Sequence, residues 1–153
     1  MADRSCDAVV AADAFHWFDK ARALPEFARV VRPGGHLVIV WKVADDAVDW
    51  VADLLALIEQ TSPAKPGGTG REVALEPWFT GVEERWFPYL QAMDAEGLVG
   101  RMSTWSSVIV SPRGDDVLGN VRRFASTHPQ LSGRPTFEFP YRTRVIRSSP
   151  TRP

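Results

Sequence analysis

Three features of the sequence predict an α/β fold built on a parallel sheet. Two short apolar runs rich in β-branched residues, Cys6–Ala12 and His36–Trp41, read as strands buried on both faces. Each is followed by a segment whose apolar residues recur at helical spacing, and strand, helix, strand, helix at short spacing is the signature of parallel pairing. The length of 153 residues, with 44% apolar and 24% charged residues, is that of one domain with a real core.

The elements follow in order. After Cys6–Ala12, Asp19 caps a segment in which Leu24, Phe27, Ala28 and Val31 share a face. Pro25 makes that helix start late or kink, and Arg32-Pro33-Gly34-Gly35 stops it. The second strand, His36–Trp41, leads to a helix opened by Asp46 and Asp49, with Val48, Val51, Leu55 and Ile58 on its apolar side. Thr61 to Arg71, with two prolines and three glycines, reads as a surface loop. Beyond it, Val82 to Leu90 reads as a strand and Asp94 to Met102 as a capped helix. Ser111-Pro112 caps a helix carrying Val117, Leu118, Val121, Phe124 and Ala125. Phe137 to Ile146 is a last strand in which Pro140 marks a start or bulge, and residues 148–153 read as a frayed tail behind a domain portion spanning 1–147.

Composition excludes several function classes. Cys6 is the lone cysteine, so no internal disulfide forms, which fits a reducing cytoplasm. No apolar run approaches the ~20 residues of a membrane span, and no membrane partner is expected. Residues 111–153 carry eight Arg against three acids, yet Arg142, Arg144 and Arg147 sit in a strand pattern. Alternation puts the first two on one face in solvent, so no nucleic-acid partner is expected. There is no G-x-S-x-G elbow, and His16, His36 and His128 are too dispersed to ligate a metal. Gly68-Thr69-Gly70 lacks the preceding strand and the following glycine or Gly-Lys-Ser/Thr of a phosphate loop.

The positive signal is Ala12-Asp13-Ala14-Phe15-His16-Trp17-Phe18-Asp19. In an open α/β sheet, ligands sit beyond the carboxyl ends of the strands, where this segment falls. Three large aromatics around a histidine stand where a loop is ordinarily small and polar. They can form a wall that excludes water, while His16 offers a proton acceptor or a hydrogen-bond partner. Each residue also has a plain structural reading. Asp13 either faces a ligand or caps loop amides. His16 is either a general base or substrate orienter, or a packed ring. Trp17 is either a pocket wall or core. Trp41 and Lys42 end the second strand at the same edge, where Lys42 either attracts an anionic acceptor or is simply solvated.

This segment, with Arg29-Val30-Val31-Arg32-Pro33-Gly34-Gly35 and the strand His36 to Trp41, resembles the class I S-adenosylmethionine-dependent methyltransferases. The closest look is to the small-molecule type with a Phe-His-Trp-Phe segment after the fourth strand. Ser103-x-x-Ser106 and Phe139-Pro140-Tyr141-Arg142-Thr143 look like that group's C-terminal strands. The resemblance implies a Rossmann-like sheet in the order 3-2-1-4-5-7-6, of which this chain would carry strands four to seven. It implies methyl transfer from S-adenosylmethionine to a small molecule, with Asp13, Ala14 and Phe15 at the cofactor, His16 in the catalytic role, and Trp17, Trp41, Trp105 and Tyr141 lining the acceptor pocket. The glycine-rich loop after strand one and the acid after strand two have no counterpart here. About three βα units, on the order of 100 residues at ~30 per unit, are expected to be missing. The cofactor site is then incomplete, and Ala8–Ala12 form an unpaired apolar edge that invites self-association or a partner supplying the missing strands. The rival reading is a non-catalytic remnant or interaction module that pairs with another chain.

Overall fold

The computed structural model describes residues 1–61 and 73–151. Among the described residues, four strands and five helices follow one another as β1 (Cys6–Ala12), α1 (Lys20–Val30), β2 (Val31–Ala44), α2 (Asp49–Thr61), β3 (Phe79–Met93), α3 (Ala95–Ser103), α4 (Ser106–Ile109), α5 (Gly114–Thr127) and β4 (Phe137–Pro150), with one 3-10 turn at Phe15–Trp17. The strands form one sheet in the order β1-β2-β4-β3, which is the four-five-seven-six part of the expected order. β1 and β2 are parallel, pairing Ala8 with His36 and Ala12 with Val40. β4 runs against β2: Asp45 N–H donates to Pro140 O, Trp41 meets Arg144 and His36 meets Ser149, so numbers fall on one strand as they rise on the other. The same reasoning sets β3 against β4, through Tyr89 with Tyr141, Trp86 with Arg144 and Glu83 with Arg147.

The described residues divide into two compact units, and β2, β3 and β4 contribute to both. In the first, Ala11, Phe15, Leu24, Leu37, Ile39, Trp41, Leu75, Phe79 and Ile146 make one core. In the second, α5 packs on α2 and α3. Val51, Leu54, Ile58, Leu98, Met102, Val117 and Val121 bury there against Phe137, Phe139 and Tyr141 of β4. Leu54 and Trp50 belong to that core although the sequence pattern had picked their neighbours Leu55 and Val48, which are only half-buried.

Several expectations change. β1 is an edge strand with Ala11 as its one buried residue, not a strand covered on both faces. β2 begins at Val31, which had been placed on the helix face, and Arg32 to Gly35, the expected helix stop, form a bulge between the pairs Cys6–Val31 and Ala8–His36. Gly34 there has φ 81°, and a Cβ on Gly35 would stand 2.5 Å from the Asp7 carbonyl oxygen. The four residues are therefore a close backbone crossing as well as a helix terminator. α1 starts at Lys20 and runs through Pro25, with Asp19 capping it by accepting from Ala21 N–H at 3.1 Å. Ser111 Oγ accepts from Arg113 N–H, holding the turn before α5 instead of capping the helix. β4 continues to Pro150 with Ser148 buried, and Thr151 N–H reaches Trp78 O, where a frayed tail was expected. The expected loop at 61–71, with Gly68-Thr69-Gly70, lies outside the described residues after Thr61. Among the described residues no helix is long and apolar enough to cross a membrane, and no group of three or more His, Cys, Asp or Glu could hold a metal.

Candidate functional site

Parallel pairing brings the carboxyl ends of β1 and β2 side by side, and the chain leaves β1 through Asp13. Its φ of 47° is left-handed, a conformation few residues other than glycine adopt and that Asp tolerates better than most. Two hydrogen bonds hold it there. Asp13 N–H donates to Val40 O at 2.8 Å, and its Oδ1 accepts from Lys42 N–H at 3.2 Å. The second is a loop-capping contact, and the carboxylate is still exposed. A strained, pinned, exposed acid at a strand end is a typical place for function.

The 3-10 turn that follows separates the aromatics. Phe15 turns in and is 1% exposed, its ring 6.1 Å from that of Trp41 in an edge-on contact. With its ring in the core, Phe15 offers a ligand only its main chain, as does the small Ala14 beside it. Trp17 turns out and is 67% exposed. His16 lies between, half-buried, its ring 4.9 Å from that of Trp17. Trp41 Nε1–H donates to His16 Nδ1 at 3.5 Å. Trp41 is itself buried.

Sequence reasoning missed what stands behind Trp41. Arg144 of β4 is only 7% exposed, not in solvent as alternation had it. Its guanidinium lies 5.6 Å from the ring centres of both Trp41 on β2 and Trp86 on β3, and Arg142 lies 5.2 Å from Trp86. Glu84 Oε2 accepts from Arg144 at 2.7 Å, and its Oε1 accepts from Trp86 Nε1–H at 2.6 Å. These bonds, Arg144 first, hold the Glu84 carboxyl below its ordinary range. The signal available in sequence was the pair of patterns Glu84-x-Trp86 and Arg142-x-Arg144, which match only once the strands are known to be neighbours.

Trp105 and Tyr141 belong to the second unit. Trp105 is half-buried against that core. Tyr141 is 1% exposed, accepts from Arg101 Nε at 3.0 Å and packs its ring 4.6 Å from Phe139. Its position is that of a core residue rather than of an open wall.

Residues 1–39, which hold β1, the aromatic turn, α1 and the start of β2, match the model of a methyltransferase domain. The chain is 35% identical over 150 residues to uncharacterised methyltransferases of Mycobacterium tuberculosis and Mycobacterium bovis, covering 96% of this chain and 60% of each relative. An uncharacterised methyltransferase-like protein of Schizosaccharomyces pombe is 27% identical over 153 residues, again across 60% of its length. The chain thus spans less than two thirds of the length of these relatives. Among solved structures, one from Anaeromyxobacter dehalogenans, provisionally named a type II methyltransferase, superposes with a TM-score of 0.63 at 24% identity, over 98% of this chain and 66% of that one. Another, from Anabaena variabilis and provisionally named a methyltransferase of an antibiotic biosynthesis pathway, gives 0.53 at 13% identity, over 95% and 68%. The four-stranded sheet with its flanking helices shares the α/β fold of these solved structures over part of their length.

Proposed function

We propose that this chain forms the acceptor-side part of an S-adenosylmethionine-dependent methyltransferase acting on a small molecule, with the ends of β1 and β2 as its ligand site. The observation that carries this reading is the left-handed Asp13 opening onto an exposed indole, Trp17, and a half-buried imidazole, His16. Asp13 and Trp17 suit the cationic flank of such a cofactor, one by charge and the other by its ring face. The donor set described here fits that flank alone, since no glycine cradle for the nucleoside is present among the described residues. When bound, the cofactor supplies an electrophilic methyl group. The residues of this chain then orient an acceptor and keep water away, which suits a transfer that is largely a matter of positioning. His16 acts in that orientation, and Lys42, whose main-chain N–H meets Asp13, favours an anionic acceptor. The half-buried thiol of Cys6 fits a cytoplasmic setting.

An interaction role has its own support: Val10 on the edge strand β1 is 62% exposed. On this reading β1 receives a strand, either from the complementing part of the domain or from another copy. Calorimetric titration with S-adenosylhomocysteine separates the possibilities. The chain alone is expected not to bind at submillimolar concentration, and to bind once the unmatched portion of the Mycobacterium tuberculosis relative is supplied as a second polypeptide. Submillimolar binding by the chain alone overturns the incomplete site. Absence of binding in both cases overturns the methyltransferase reading and leaves the interaction module.

A further inference from the structure

We propose that Glu84 and Arg144 are positioning residues that fix His16 as a hydrogen-bond donor toward the methyl acceptor, an inference that rests on the β1 end being the ligand site. The groups involved form one row across the sheet. On β3, Glu84 ties Arg144 with one carboxylate oxygen and Trp86 with the other. On β4, the Arg144 guanidinium lies between the indoles of Trp86 and Trp41. On β2, Trp41 passes the constraint on, since its N–H donates to His16 Nδ1 just beyond β1. Phe15 meets the Trp41 ring nearly perpendicular, at 81°, so the indole is held both by a cation and by a ring edge.

The chemical consequence follows from the kind of group that ends the row. An indole N–H donates and never accepts, so His16 Nδ1 keeps its lone pair and the neutral ring carries its proton on Nε2. That nitrogen therefore meets a ligand as a donor and is not free to take a proton. It recognises an oxygen bearing lone pairs, which assigns the acceptor to compounds with a carbonyl, carboxylate or hydroxyl oxygen beside the reacting atom. Activation of a nucleophile by His16 is excluded while the Trp41 bond stands. The Glu84 tie gives the edge strand a reason to carry a carboxylate: it supplies the buried guanidinium with a charged partner at 2.7 Å.

Long-range 1H–15N correlation spectra of the His16 ring in the full chain test this without any ligand. The wild-type chain is expected to show one pyridine-like nitrogen, Nδ1, and one pyrrole-like nitrogen, Nε2. In Glu84→Gln and Arg144→Gln the two nitrogen shifts move toward each other and the Trp41 indole proton moves upfield, whereas Arg144→Lys, which keeps the cation, retains most of the separation. Trp41→Phe removes the donor while keeping a ring and gives the same collapse should the Gln variants fail to fold. Unchanged nitrogen shifts in the folded variants, or averaged shifts in the wild type, overturn the proposal. Adding S-adenosylhomocysteine and the complementing polypeptide then reads the ligand site separately: a locked tautomer whose resonances ignore bound ligand overturns the role toward an acceptor and places the failure in the site.

Discussion

Asp13 was legible from sequence as a polar residue closing an apolar strand, but not its backbone, because a left-handed φ is imposed by the two strand ends it bridges. Asp13→Ala loses both the Lys42 bond and the tolerance of that conformation, so a cost of about 1–2 kcal/mol is expected in urea denaturation. Asp13→Asn keeps an acceptor oxygen and is expected to cost less than half as much; equal losses would remove the backbone argument. Arg144 was misread for a related reason. Alternation says which residues share a face, but whether that face is wet depends on Trp41 and Trp86 from other strands. The Glu84 partner makes a pH prediction. Its folded carboxyl titrates below the 4.5 of the free group, so its stabilisation is whole above about pH 4.5 and fades as the pH falls through the folded value. The carboxylate is 37% exposed, so solvent screening limits the gap between wild type and Glu84→Gln to about 1 kcal/mol at neutral pH. Denaturation at about pH 7 and about pH 3 should show that gap shrinking; a constant gap would mean Glu84 acts by packing alone.

The Arg32 to Gly35 bulge shows what an element boundary hides. Arg-Pro-Gly-Gly is a sound helix stop, and α1 does end at Val30. What composition does not carry is that the next strand has already begun, because a bulge is defined by the register of its partner. The two glycines serve different needs, and substitution separates them. Gly35→Ala drives a methyl into the Asp7 carbonyl oxygen and to 2.8 Å from Val31 Cγ1, neither of which is a flexible chain end. A loss of about 1–3 kcal/mol is expected. Gly34→Ala meets open space and bears only the left-handed backbone penalty, about 1 kcal/mol. Thermal melts that rank the two variants the other way would refute the close crossing of β1 and β2.

At the scale of the molecule, the fold class was legible in the alternation of elements and the sheet order through the resemblance, while strand burial was not. β1 has the composition of an interior strand and the position of an edge, a mismatch that local pattern cannot reveal. The exposed Val10 makes it testable: self-association in sedimentation velocity at micromolar concentration is expected, and Val10→Lys should abolish it by putting a charge on the edge. A wild-type chain that sediments as a monomer would refute the prediction. The opposite edge is built differently. β3 carries Pro88, which has no N–H to donate, and Gly81 with φ 64°, so its run of donors is broken. Among the described residues the sheet thus offers one unbroken edge, a valence of one. Two copies joined β1 to β1 about a two-fold axis would leave no second edge to pair, so the self-association expected in sedimentation velocity should stop at the dimer rather than grow into a fibre.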